Sequence, residues 1–507
     1  MKKKDPNIKI RKATLISGIS LILGFLFDYF FYDKLPGVAF PLYILLILLC
    51  LFTIAHFLKR KVDKQITVLS IPLIFFSIMV FIHTSPFLTL LNILVSIFLL
   101  LLIIKTLYGK KIENFLIKDY VRTLFLPLNF IPQLFGTLSE FFSSLNFNKN
   151  QKVFSQIIKG VVITIPIIFV LILLFSSADL VFQKYVSYLF TLDINPEIFF
   201  RFILILIVTF IFIGAFSYIF QESKQHETIK QENKKYIIGD IESSIILGSI
   251  NVLFLLFILV QLTYLFGGEN NISAQGFTYA EYARRGFFEL IIVAVISLLL
   301  LLVIEKYVVK WKEKHIPWFK ILSTAMILQV VIIMVSAFMR LLLYEEAYGF
   351  TTLRLYSHSF LILLAVIFCL LIYKIYRNKT ESVFVFQIFV SAFIFLAGMN
   401  FLNPDRFIAQ QNIKRFSNTE NLDVYYLANL SDDAIPEIVK ALDTLQDEES
   451  KNRLGGRLYL RSLEDNGYGN WQSFNISRTR AKRILDLEEE RLKQYKGYYE
   501  DYYIEEF

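Results

Sequence analysis

The sequence predicts an all-α protein: a polytopic bundle of about eleven membrane-spanning helices followed by a small soluble helical tail. Three observations carry this. The 507 residues are 56% hydrophobic and only 19% charged. The apolar residues come in uninterrupted blocks of about twenty, the length that takes a helix across ~30 Å of hydrocarbon. After Phe401 the composition changes, and residues 402–507 hold 15 Lys and Arg and 20 Asp and Glu with no long apolar run.

In chain order the expected spans are 13–32, 38–58, 66–83, 86–108, 157–177, 198–220, 243–266, 286–309, 319–343, 354–373 and 383–401. The block after Met1-Lys-Lys-Lys4 lacks a small-x-small cleavage site and reads as a retained first span. Residues 112–146 are rich in Phe and Leu but interrupted by Lys118, Asp119, Arg122, Pro127 and Pro132, the pattern of an interfacial helix, with a tight re-entrant hairpin as the competing reading. Residues 178–191 form a similar interfacial piece. In the tail, Leu422–Leu427, Ser431–Lys440 with Ser431 as N-cap, and Arg478–Lys496 are the expected helices. With few large apolar side chains, the tail is expected to lean on the membrane domain.

The net charge of +9 does not mark a nucleic-acid binder, because the positive residues sit in connections between apolar blocks. With the N-terminus in the cytoplasm, the inner connections and adjoining span ends carry 30 Lys and Arg and the outer ones 7. Cytoplasmic connections retain positive charge, so this asymmetry orients the protein, and an odd span count places the tail outside the cell.

Cys50 and Cys369 both fall within spans, which excludes a disulfide framework. Five scattered histidines offer no metal-ligand spacing, no phosphate-binding Gly-rich loop occurs, and no metal or cofactor is expected.

The outer connections gather Tyr279, Glu281, Arg284 and Arg285 before the eighth span, with Glu289 one turn inside. Arg340 lies near the end of the ninth, followed by Tyr344, Glu345, Glu346 and Tyr348. Arg354 opens the tenth, and His358 lies one turn deeper on the same face. Unpaired charges are costly in hydrocarbon, so Glu289 and Arg340 are expected to face protein and pair. Guanidinium groups beside tyrosines suit an anionic solute or envelope component, a phosphate or a carboxylate, with membrane lipid as the surroundings; the bland alternative is interfacial anchoring. A transporter would also need Asn251, Gln261 and Gln329 to line a cavity deeper in the bundle. A glycosyl or lipid-head-group transferase would use Asp28 or Glu281 as base, and a sensor or assembly scaffold would work through its tail.

Tyr279-Ala-Glu-Tyr-Ala-Arg-Arg-Gly-Phe-Phe-Glu-Leu290, Arg340-x-x-x-Tyr-Glu-Glu-Ala-Tyr-Gly349, Arg354-Leu-Tyr356, Asn403-Pro-Asp405, Leu422-Asp-x-x-Tyr-x-x-x-Leu430 and Asp433-Ala-x-Pro436 resemble a bacterial integral-membrane family, domain of unknown function 4173. The resemblance covers about residues 240–440. It implies a protein of the bacterial cytoplasmic membrane and supplies no activity.

Overall fold

A computed structural model describes residues 6–58, 64–107, 111–144, 174–189, 196–220, 237–265, 287–308, 317–419, 422–464 and 469–498, with isolated residues between 160 and 172. Among these, ten helices are long and apolar enough to cross a membrane. They match ten of the eleven expected spans; the one expected at 157–177 lies largely outside the described residues.

The membrane part forms two packed groups. In the first, α1 (Pro6–Phe31), α2 (Ala39–Phe57), α3 (Lys64–Ile82) and α4 (Pro86–Thr106) surround one apolar core. The same core takes in α5 (Ile117–Leu124) and α6 (Phe130–Ser144) by their flanks, and skips over α7 (Leu180–Leu189) to reach α8 (Pro196–Phe220). At Gly24 of α1 a side chain would collide with the backbone carbonyl of Ile205, so glycine is what lets α1 and α8 approach closely. The neighbouring Asp28 is buried and accepts two bonds from Arg201 of α8 at 3.2 and 2.7 Å.

The second group packs α9 (Asp240–Leu265), α10 (Phe287–Tyr307), α11 (Pro317–Tyr348) and α12 (Thr352–Arg377) around Leu301, Val330, Ile333 and Phe368. Glu305 of α10 and Lys374 of α12 form a buried ion pair at 2.5 Å. The final span, α13 (Glu381–Leu402), joins the groups, placing Phe384 in the second core and Leu396 and Met399 in the first. Asn400 of α13 and Asn92 of α4 exchange amide bonds at 2.7 and 3.0 Å inside the first core.

The stretch from Ile112 folds into helices of 8 and 15 residues, both short of the ~20 needed to cross a bilayer. Phe130 of α6 lies against Gly214 and Thr137 bonds Ser217 at 2.6 Å. Seven residues of α6, about 10 Å, thus match three of α8, about 4–5 Å, and the helices cross obliquely.

The C-terminal unit contains more helix than the sequence suggests: α14 (Pro404–Thr419), α15 (Val424–Ala428), α16 (Ile435–Thr444), α17 (Glu448–Leu463), α18 (Ile476–Leu487) and α19 (Glu489–Leu492), closed by a 3₁₀ turn over Lys493–Tyr498. Asp423, Asp447 and Asn475 cap α15, α17 and α18 through their side chains. Ser431 is not a helix cap, since α16 opens only at Ile435, with Ala434 at the cap position and Pro436 in the first turn. The expected helix Arg478–Lys496 is broken at Glu488. The unit has its own core of Leu427, Ile435, Ile438, Leu454 and Leu458, and Leu355 of α12 completes it. Gly455 is required there because any side chain would enter the Tyr495 ring.

Candidate functional site beneath the C-terminal unit

Four connections of the membrane part meet the C-terminal unit at one end of the bundle. Val38 donates its amide to the Phe474 carbonyl at 2.8 Å, over Gly37, where a Cβ would strike the 473–474 backbone. Asn475, while capping α18, donates to the carbonyls of Val80 and His83 at 3.1 and 3.0 Å. Residues 349–352 meet α14 and α15. Asn403, in the left-handed conformation at φ 51°, turns α13 directly into α14.

The densest junction is Asp433. One carboxylate oxygen accepts from Ser477 Oγ at 2.6 Å and Asn403 Nδ2 at 3.3 Å and faces His83 Nδ1 at 3.1 Å. The other accepts from the backbone amides of Thr84 and Ser85 at 2.7 and 3.0 Å and from Ser431 Oγ at 3.3 Å. Burial by itself would raise this carboxyl; the His83 contact, the Ser477 hydroxyl and the Thr84 amide outweigh it and hold the group at about 2.

Asp405, also buried, accepts from the Ser431 amide at 3.2 Å. Burial raises its carboxyl, the Asp433 charge adds to that, and Ser431 offsets only part. On the flank, Arg406 grips Glu437 through two bonds at 3.0 and 2.7 Å.

Beside this junction lies a cavity of about 660 Å³, walled by Thr84–Phe87 and Thr352 of the membrane part and by Asp405, Tyr426, Asp432, Arg457, Arg461 and Arg478 of the C-terminal unit. Arg461 bonds Asp432 at 2.9 Å and the carbonyls of Ala428 and Leu430 at 3.0 and 2.6 Å. Arg478 donates to Ser473 O at 2.7 Å, and Arg457 lies 5.1 Å from the Tyr425 ring centre. The wall therefore offers guanidinium donors together with carboxylate and hydroxyl acceptors.

The residues singled out from the sequence divide. Tyr279, Glu281, Arg284 and Arg285 lie outside the described residues. Glu345 and His358 come together: Glu345 is 1% exposed, its Oε1 is 3.2 Å from His358 Nδ1, and His358 Nε2 faces Phe338 O at 3.2 Å. The carboxylate contact is off the line of a hydrogen bond, so it is an electrostatic approach rather than a directed one. Arg354 stacks 3.9 Å from the Tyr344 ring centre and bonds the Gly349 carbonyl. Tyr348 packs on Tyr344 at 5.0 Å.

Around them the C-terminal unit holds the end of α11. Arg415 donates to the carbonyls of Glu346 and Ala347, both at 2.7 Å, and Asn412 exchanges bonds with Phe350 at 2.6 and 2.9 Å across Gly349, whose φ of 80° needs glycine. The Glu346 side chain is exposed. Glu289 is exposed and makes no ion pair with Arg340, against expectation, because α10 turns it outward. Asn251 and Gln329 do meet: Gln329 Nε2 donates to Asn251 O at 3.1 Å.

His83, Asp432, Asp433, Asn475, Ser477 and the arginines of α17 and α18 were missed from the sequence. A signal existed in His83-Thr-Ser-Pro86, a polar run between two apolar spans, and in Ser431-Asp-Asp433, which reads equally well as a helix start.

A family model, domain of unknown function (DUF4153), matches residues 70–441. The chain belongs to the DUF4153 family. The number differs from the 4173 that the motifs resemble, and the unassigned function is common to both. The matched stretch contains both helical groups from α3 onward and the Asp405–Asp433 junction, and ends within α16. No curated protein and no solved structure matches the chain.

Proposed function

We propose that this DUF4153 member is a multi-pass protein of the bacterial cytoplasmic membrane that binds an anionic solute or envelope component in the cavity beneath its C-terminal unit. The observation that carries the reading is the cavity itself, which neither part of the chain could form alone and which puts Arg457, Arg461 and Arg478 opposite the ends of membrane spans. Guanidinium groups suit phosphate or carboxylate. Asp405, Asp432 and Tyr426 add acceptors for hydroxyl or amino groups on the same ligand. The concentration of Lys and Arg in the opposite connections supports an extracytoplasmic position for this end.

The test uses the full chain in detergent with inorganic phosphate and glycerol phosphate as probes. Binding to the folded state alone raises the unfolding temperature with ligand concentration. Glycerol phosphate should raise it, and Arg457→Gln should abolish the rise while leaving the unliganded midpoint in place. An equal rise in both proteins, or none in either, would defeat the reading. A C-terminal reporter active only in the cytoplasm would defeat the orientation.

A scaffold or sensor role draws support from one observation, the clamping of the C-terminal unit onto the membrane part through Asp433. The transferase reading loses one of its bases, because Asp28 is engaged by Arg201 on both carboxylate oxygens.

A further inference from the structure

The charges on the cavity wall balance, and one of its carboxylates lacks a partner of opposite sign. Arg457, Arg461 and Arg478 line the cavity together with Asp405, Asp432 and Glu464. Three guanidiniums beside three carboxylates suit a ligand that carries both signs of charge better than a bare anion. Asp432 is held by Arg461 at 2.9 Å and approached by Arg478 at 3.9 Å. Asp405 differs. Among the described residues it meets no cationic group: the Ser431 amide donates to it at 3.2 Å, and the charge that acts on it is that of Asp433, of its own sign. Arg406, its neighbour in the chain, turns instead to Glu437. Beside Asp405 on the same wall stands Ser85, 1% exposed, whose hydroxyl has no hydrogen-bond partner of good geometry.

The distance from this acid to the guanidinium wall is bounded by one peptide unit. Arg461 Nη1 donates to Leu430 O at 2.6 Å, and the next amide, that of Ser431, donates to Asp405 Oδ2. With the C=O and C–N bonds between them, Nη1 and Oδ2 lie no more than about 8.4 Å apart. Arg461 uses three of its N–H groups on Ala428 O, Leu430 O and Asp432, and among the described residues its other two have no bond.

We propose, building on the anion site argued above, that the ligand of this cavity is zwitterionic: an ethanolamine-type phosphodiester whose phosphate meets the guanidiniums and whose primary ammonium docks on Asp405. A buried carboxylate without a counter-charge is costly, and the ammonium supplies that charge. Its three N–H donors find acceptors in Asp405, Ser85 Oγ and Tyr426 Oη, all on the wall. With charge-assisted contacts of ~2.8 Å at each end, a two-carbon spacer between phosphate and ammonium covers the span. The volume of about 660 Å³ holds such a head group.

The experiment titrates the full chain in detergent with glycerophosphoethanolamine and glycerophosphoglycerol, phosphodiesters that differ at the amine, and reads the unfolding midpoint. Wild type should respond to the amine at about tenfold lower concentration. Asp405→Asn should respond to both diesters equally while keeping its response to glycerol phosphate. If that variant does not fold, Ser85→Ala decides, and it should narrow the preference at least threefold. Native mass spectrometry then separates the sources. Retention of phosphatidylethanolamine over phosphatidylglycerol assigns a lipid head group, and a preference confined to the soluble diesters assigns a free ligand. An equal or absent response of wild type to the two diesters, or a preference undiminished in Asp405→Asn, overturns the ammonium site. Glycerol phosphate tests the anion reading separately: its binding without an amine preference leaves that reading standing, and no response to any of the three defeats both.

Discussion

Asp405 and Asp433 share Ser431, whose amide donates to Asp405 at 3.2 Å while its hydroxyl donates to Asp433 at 3.3 Å. Burial acts on both carboxylates, yet Asp433 is held well below the usual range and Asp405 is raised above it. The difference lies in the number of donors: seven groups surround Asp433, the Thr84 hydroxyl at 3.2 Å among them, whereas the charge of Asp433 itself presses on Asp405.

This sets a pH dependence. A group depressed in the folded state contributes stability that is present above its unfolded value, near 3.8, and lost as pH falls toward about 2. The contribution is about 2 kcal/mol. Amide hydrogen exchange in α16 and α18 of the full chain should accelerate between pH 4 and pH 2 beyond that of Asp433→Asn over the same window. Parallel profiles would contradict the assignment.

Substitution should separate the two acids at neutral pH. Asp433→Asn strands donors built around a charge and should destabilise the docked unit by roughly 3–5 kcal/mol. Asp405→Asn removes an ionisation that the site opposes and keeps an acceptor for Ser431, so the midpoint should hold or rise. Thermal unfolding at pH 7 checks both signs.

The Asn92–Asn400 exchange predicts coupling across α4 and α13. Leu at either position leaves an amide unmet, and the double replacement restores complementarity. A double-mutant cycle should give a coupling of about 0.6–1.7 kcal/mol, the span measured for polar contacts within membranes. Additive losses would show that the pair contributes nothing jointly.

Two glycines predict steric failures. At Gly455 an alanine Cβ would approach the Tyr495 ring to 2.4 Å, and at Gly37 it would approach the Phe474 carbonyl to 2.6 Å. Gly455→Ala should destabilise the C-terminal unit by roughly 1–3 kcal/mol. Gly37→Ala should instead loosen docking, read as protease sensitivity near Trp471 with the unit still folded.

What the sequence by itself determined was the all-helical class and ten of the eleven expected spans. Transfer of apolar residues from water accumulates along a local stretch, so a block such as 86–108 declares itself without reference to the rest. Arg354 also stood out, though as a ligand candidate rather than as part of the turn gripped by Asn412 and Arg415.

Only the tertiary structure decided which polar groups meet. His83 and Asp433 are 350 residues apart, and either could have been a solvated loop residue. Ser431-Asp-Asp433 carries a helix-start pattern that docking overrides, and Glu289, expected inside the bundle, faces outward. Hydrogen bonds and ion pairs depend on distances between chain segments that no local pattern records. The donors each carboxylate meets then decide which way it moves, which is why Asp433 is lowered and Asp405 raised although both are buried.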